Sequence, residues 1–175
     1  YYGQIAHKAI SSSEDYDLYI AIRELSDIKE DPSSTELDIE QSEEKLKKAS
    51  EAISYISEAA YLARINWWTV EYGLIGDISN PKIYGAGLLS SIGESENCLK
   101  DSIKKIPLSI DCIDYNYDIT EQQPQLFISK DFKSLNLILD QFSSKMAYKV
   151  GGLEGLKKAV QSKTICTALL NSGVQ

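Results

Sequence analysis

The chain has 175 residues, with 18 Lys and Arg against 26 Asp and Glu, a net charge of −8, three Cys and one His. That length suits one domain with a real core, while the acidic balance and the presence of only two Arg, Arg23 and Arg64, argue against nucleic-acid binding, which rests on basic contacts to phosphate. Cys98, Cys112 and Cys166 form no CxxC pair, so no zinc knuckle or disulfide framework is indicated; no apolar run approaches the ~20 residues that span a bilayer, no charged-then-apolar leader opens the chain, and the expected location is the cytoplasm. The chain opens on Tyr1 and its only Met is Met146, which fits a processed chain or a piece of a longer one.

Ile5, Ala9 and Ile10 share one side of a first helical segment. Ser13 reads as the N-cap of a helix to Lys29, with Glu14, Asp15 and Asp17 in its first turn and Leu18, Ile22, Leu25 and Ile28 at helical spacing. Asp31-Pro32 ends it, because the residue before a proline is pushed out of the α region. Ser34 to Asp38 then opens the longest periodic stretch, predicted as one helix over 34–74. Leu46, Ala49, Ile53, Ile56, Ala60, Ala63, Trp67 and Val70 recur in it at three- and four-residue steps. Its first half is charged, with Glu43 and Lys47 placed as an i,i+4 pair. Its second half sheds charge and reads as buried.

Gly73 and residues 76–81 read as breakers. Gly85-Ala86-Gly87 suits a close approach of backbones. Residues 91–99 can form a short helix, and short strands are predicted near 82–86, 106–112 and 124–129. Asp131 caps a helix to about Met146, with Phe132, Leu135, Ile138, Leu139 and Phe142 on one face. Gly151-Gly152 is a hinge, and residues 153–170 carry a weaker helical pattern. The fold class expected is mainly α with short β elements, about five helices arranged on the 34–74 helix. Its apolar surface is expected to be exposed around Trp67, Trp68 and Val70.

Glu71 needs an explanation. On a regular helix Trp67 and Trp68, four and three residues earlier, share its face. A carboxylate between two indoles is costly to bury unless it is paired, protonated or bound to metal. Two readings stand: a helix-end Glu reaching solvent or a Lys, or a metal ligand or general base. The segment Tyr84 to Ser91 lacks the lysine of a P-loop and the third glycine of a dinucleotide loop, so it reads as a tight packing turn.

Three segments carry a resemblance. Trp67-Trp68-Thr69-Val70-Glu71-Tyr72-Gly73-Leu74, then Lys82-Ile83-Tyr84-Gly85-Ala86-Gly87-Leu88-Leu89-Ser90-Ser91-Ile92-Gly93-Glu94, then Tyr117-Asp118-Ile119-Thr120-Glu121-Gln122-Gln123-Pro124, together resemble the pterin-dependent aromatic amino acid hydroxylases, above all the long bacterial type that hydroxylates phenylalanine. The likeness is strongest from about Ala59 to Ala147. It implies a monooxygenase with Fe(II), a tetrahydrobiopterin-like cofactor, dioxygen and an aromatic amino acid substrate, most simply phenylalanine converted to tyrosine. The chain would be the C-terminal half of that catalytic domain (residues 1–150), followed by a segment of unknown role (151–175). By the resemblance Glu71 is the carboxylate ligand of a site with two His and one carboxylate. Ser90 would hydrogen-bond an iron-ligating His. Trp67, Tyr72, Gly87 and Ser91 would line the amino-acid pocket. Glu94 would pair with an Arg that clamps the substrate carboxylate, Ala63 would meet the pterin through its backbone, and Tyr117 would lie near the mouth.

The departures are specific. The two His ligands of the family form H-x-x-x-x-H, and this sequence has only His7, which matches neither and reads as a surface residue. Asn66 stands where many members carry an aromatic. By this reading the partner of the chain is the other half of its own catalytic domain, and residues 1–175 alone are inactive. The competing reading is a non-catalytic helical interaction module that retains a degenerate hydroxylase core, docking through the charged helix after Ser34.

Overall fold

The computed structural model describes residues 1–117 and 122–173. It is mainly helical with one small mixed sheet, as expected. Helix α1 spans Tyr2–Ala6, α2 Ser13–Glu30, α3 Glu36–Glu51 and α4 Glu58–Asn66. Both α2 and α3 open on capping boxes. Asp15 N–H donates to Ser12 Oγ (3.0 Å) while Ser12 N–H donates to the Asp15 carboxylate (2.7 Å), so the cap lies one residue before Ser13. Thr35 and Asp38 repeat the exchange. Each box answers two donors that a helix start leaves free. α2 and α3 form an antiparallel hairpin stitched by Lys29–Glu43 (2.8 Å) and Lys45–Glu24. Glu43 thus reaches across to α2 and not along α3 to Lys47; the pairs along α3 are Glu44–Lys48 (2.7 Å) and Lys47–Glu51 (4.0 Å).

The single helix predicted over 34–74 is three pieces. α3 stops at Glu51 and α4 starts at Glu58. Residues 53–57 combine β-branched, aromatic and serine side chains, which hold a helix weakly. Their backbone finds other partners: Ser54 and Tyr55 N–H donate to the Glu14 carboxylate (2.7 and 3.3 Å), and Ser57 Oγ caps α4 by accepting from Ala60 N–H (3.0 Å). The third piece is a π turn over Trp67–Glu71, closed by Tyr72 N–H to the Trp67 carbonyl (2.8 Å). Leu62, Ile65 and Trp68 face the core, whereas Ala63 and Val70 are exposed.

Strands β1 (Leu74–Asp77), β2 (Asn80–Ile83), β3 (Lys104–Pro107) and β4 (Gln125–Ser129) form one sheet in the order β2-β1-β4-β3. β1 and β2 are antiparallel; β4 is parallel to both β1 and β3. β1 lies among the expected breakers. Gly76 adopts φ +104°, and the Asp77 side chain accepts from Ser79 N–H and Oγ–H (2.8 and 2.6 Å), so those residues build a hairpin turn. The run predicted over 106–112 is β3 followed by a 3₁₀ turn at Ile110–Asp114, capped by Ser109. β4 alternates between two cores: Phe127 joins Leu62, Ile65, Trp68 and Phe142, while Leu126 and Ile128 join Leu74 and Leu88 on the other face.

Short helices α5 (Ala86–Ser90) and α6 (Ile92–Asn97) follow β2, and α7 (Phe132–Ser143) follows β4 with Asp131 as its cap. α8 (Ala147–Val150) and α9 (Gly152–Gln161) meet at Gly151 and Gly152, both at positive φ. α9 stops well short of the predicted residue 170. The added short helices account for the excess over five. Among the described residues no helix is long and apolar enough to cross a membrane.

Candidate functional site

The π turn decides which side chains meet. A π turn brings residues five apart together, and Trp67 stacks on Tyr72 with ring centroids 4.4 Å apart and 21° between planes. Tyr117 covers the other face of the indole at 4.3 Å and 10°. Trp68 turns into the core, fully buried, donating Nε1–H to the Tyr115 carbonyl (3.0 Å) and tilting against Phe127. The shared face expected from a regular helix is therefore not formed by the two indoles. Of the apolar surface expected to be exposed around Trp67, Trp68 and Val70, Trp68 exposes nothing, Trp67 is half-buried and Val70 is exposed. Thr69 Oγ–H donates to the Ile65 carbonyl (2.5 Å), a back-bond that loosens the regular ladder. Glu71 is half-buried at the end of the turn.

The close approach predicted for Gly85-Ala86-Gly87 is made against the Glu71 backbone. A Cβ on Gly85 would sit 2.4 Å from the Glu71 carbonyl oxygen and 2.6 Å from Gly73 N. One on Gly87 would sit 2.8 Å from the Tyr72 ring. Gly73 is equally confined, with Thr69 O and the Tyr84 hydroxyl 2.2 and 2.3 Å from a Cβ. Burial pushes the Tyr84 phenol well above its ordinary range. Three glycines and a tyrosine thus fix where the Glu71 main chain lies.

Ser90 is exposed and donates Oγ–H to the Gly87 carbonyl (3.2 Å). Ser91 caps α6 by accepting from Glu94 N–H (3.4 Å). Glu94 is buried and accepts the backbone N–H of Gln123, and burial pushes its carboxyl above the ordinary range. Among the described residues no Lys or Arg pairs with it. Burial, then the charges of Glu94 and Glu71, raise the Tyr72 phenol. The Trp67 Nε1–H is buried without an acceptor among the described residues. Ala63 is exposed on α4, and Asn66 ends that helix half-buried. His7 is exposed, as expected for a surface residue. Residues 118–121 of the third motif lie outside the described residues.

Glu71, Trp67, Tyr72, Gly87 and Glu94 are thus gathered around the π turn, with Ser90 and Ser91 on the adjoining α5–α6 corner. No group of three His, Cys, Asp or Glu converges among the described residues. A cleft of about 220 Å³ at the ends of β1, β3 and β4, lined by Ile78, Leu108 and Lys130, contains none of the predicted site residues. The same holds for a wider one of about 610 Å³ between α2 and α3. Sequence reasoning missed the π turn and the packing of Tyr84 on Gly73; the mid-helix Thr69 was the one signal available for the turn.

Comparison with known proteins follows the same residues. The family profile described as biopterin-dependent aromatic amino acid hydroxylase matches residues 39–151. Phenylalanine-4-hydroxylase of Rattus norvegicus is 45% identical over 74 residues, covering 41% of this chain and 16% of that protein. Phenylalanine-4-hydroxylase of Vibrio cholerae is 39% identical over 80 residues, covering 45% of this chain and 28% of that protein. The chain therefore matches well under two thirds of the length of these relatives. Phenylalanine hydroxylase from Legionella pneumophila superposes with a TM-score of 0.46 at 27% identity, covering 65% of this chain and 47% of that one.

Proposed function

Since the chain belongs to the biopterin-dependent aromatic amino acid hydroxylase family, we propose that it is the C-terminal part of a catalytic domain that hydroxylates the ring of phenylalanine with Fe(II), a tetrahydropterin and dioxygen. Support comes from relatives whose names are phenylalanine-4-hydroxylase. It comes also from a neighbouring structure, the Chromobacterium violaceum phenylalanine hydroxylase, described with iron and phenylalanine bound. The observation that carries the reading is the set of unanswered polar groups at the π turn. Among the described residues Glu94 is a buried carboxylate without a cation, and the Trp67 indole N–H is buried without an acceptor. Buried polar groups are normally paired, and exceptions call for a ligand or a partner.

On this reading Glu71 supplies one carboxylate to the iron. The described residues do not complete an iron site by themselves, because no second and third ligand converge on Glu71. The chain's own residues prepare the site in other ways. Gly85 and Gly87 fix the Glu71 main chain. The Tyr72–Trp67–Tyr117 stack, with both faces of its indole already covered, gives the site a rigid aromatic wall. Glu94 awaits an Arg that holds the substrate carboxylate, Ser91 sits beside that wall, Ser90 orients an iron-ligating His, and Ala63 meets the pterin. Residues 151–175 are a following segment, consistent with a family match that ends at 151.

The test uses the chain and its parent. Residues 1–175, supplied with Fe(II) and a tetrahydropterin, form no tyrosine from phenylalanine; measurable tyrosine would overturn the half-domain reading. In the longer parent, Glu71→Ala loses iron as measured by metal analysis, and full iron occupancy in that variant would remove Glu71 from the ligand set.

A further inference from the structure

Two carboxylates outside the candidate site gather donors from distant parts of the chain. Glu58, the first residue of α4, is 3% exposed. Its carboxylate accepts Ile10 N–H (3.3 Å), Ala147 N–H (2.7 Å) and Lys158 Nζ–H (3.2 Å). Glu14, in the first turn of α2, accepts Ser54 N–H and Oγ–H (both 2.7 Å), Tyr55 N–H (3.3 Å) and Lys163 Nζ–H (2.8 Å). The two lysines are the shared feature. Lys158 lies on α9 and Lys163 just beyond it, five residues apart, and each ends on a different carboxylate.

Backbone bonds run along the same seam. Ser13 N–H donates to the Ser162 carbonyl (3.3 Å) and Ala59 N–H to the Ile10 carbonyl (3.1 Å). Ser12, Ser57 and Ser162 are all nearly fully buried there. Lys158 also donates to the Lys145 carbonyl (2.6 Å). α9 lies hard against α8, since a Cβ on Gly155 would sit 2.9 Å from the Ala147 carbonyl oxygen. Both the start of the seam (residues 10–14) and its end (152–163) fall outside the span of the family match. They close over the break between α3 and α4, which lies inside it.

We propose that α9 is a strap, and that residues 10–14, 52–58 and 147–163 open and close as one cooperative unit bolted by Lys158 to Glu58 and by Lys163 to Glu14. Charge-assisted hydrogen bonds are stronger than neutral ones, and Glu58 would be left buried with its charge unbalanced if Lys158 withdrew. Local openings of this kind follow contiguous structural units. Lys163 is largely exposed, so its bolt weakens with salt, whereas the Glu58 pair is shielded.

Hydrogen exchange on the full chain tests this. The double variant Lys158→Met/Lys163→Met is expected to raise the exchange rates of the Ile10, Ser54, Tyr55 and Ala147 amides at least tenfold, together with those of α9. The Trp68 indole N–H, buried in the main core, keeps its wild-type rate. Lys157→Met is the control, because among the described residues Lys157 pairs only with Glu154 on its own helix (2.7 Å) and should change none of these rates. Faster exchange in α9 with Ile10, Ser54 and Tyr55 unchanged would overturn the cooperative unit. No change anywhere in the double variant would overturn the bolts. Should the double variant unfold, wild type in 1 M salt tests the unit through Lys163 alone: Ser54 and Tyr55 accelerate together with Ile10, Ala147 and α9 if the proposal holds, whereas acceleration of Ser54 and Tyr55 alone, or of none of them, overturns it.

Discussion

Glu58 and Glu94 are both buried carboxylates, one at each end of the segment that carries the candidate site, and their surroundings differ completely. Glu58 accepts from two backbone N–H groups and a lysine. Glu94 accepts one backbone N–H, has no cation among the described residues, and has its carboxyl pushed up by burial. The first is what a buried charge looks like when the fold answers it, and the second is what one looks like when the answer is missing. Folding physics alone favours the first and penalises the second. The difference therefore marks where the molecule was shaped for something besides its own stability. The Trp67 indole N–H falls on the same side of the division as Glu94.

One substitution applied to both positions sharpens the contrast. Glu58→Gln is expected to have the largest effect. It removes the charge facing Lys158 and turns an amide NH2 toward Ile10 or Ala147, leaving a donor against a donor. A buried hydrogen-bonded charge broken on one side costs about 3–5 kcal/mol, and Lys158 can recover part of that by reaching water. A loss of about 3 kcal/mol in urea-induced unfolding is the expected result, and a loss under ~1 kcal/mol would remove Glu58 from the structural class. Next in size is Gly85→Ala. The site region is unanswered in its polar groups among the described residues but tight in its backbone, and a Cβ there meets three main-chain atoms that cannot rotate away. Overpacking of that kind costs about 1–3 kcal/mol. Near-UV circular dichroism should report the displaced Trp67 stack, and a neutral outcome would mean that the turn is looser than its contacts imply.

What the sequence disclosed follows from the range of the interactions involved. The caps of α2, α3 and α7 and the end of α2 at Asp31-Pro32 were legible to within a residue, because those signals are local. The break at 52–57 was not. Apolar periodicity runs straight through Ile53, Ile56 and Ala60, and the backbone there is stabilised by Glu14, some forty positions away. The same holds for Glu58, whose partners lie 48, 89 and 100 positions distant. In the site, the gathering of Glu71, Gly85 and Gly87 was foreshadowed by the glycines. The arrangement of the two indoles was not, since five-residue spacing replaces the assumed helical one at Trp67. The resemblance singled out Glu94, but only the fold reveals that it is buried and lacks a cation among the described residues.

Glu94→Gln is the smallest of these effects and the most informative. Because burial holds the Glu94 carboxyl above its ordinary value, the folded chain binds a proton that the unfolded chain has released between those two values. Stability therefore falls as pH rises through that window, and the full burden is present above it. Glutamine keeps a carbonyl oxygen for the Gln123 N–H and carries no charge, so the variant should melt higher than wild type at pH 7. The gain is on the order of 2–4 °C, equivalent to about 1 kcal/mol in a domain of this size. The gap should close as the pH drops below the wild-type carboxyl's pKa, where the two side chains become equivalent. A variant less stable at pH 7 would mean that the charge on Glu94 is already compensated within this chain, and the contrast with Glu58 would collapse. In a longer parent that supplies an Arg to Glu94, the sign must reverse, because the substitution then strands a buried guanidinium. The same mutation measured in both contexts thus separates a carboxylate that awaits its partner from one that never had one.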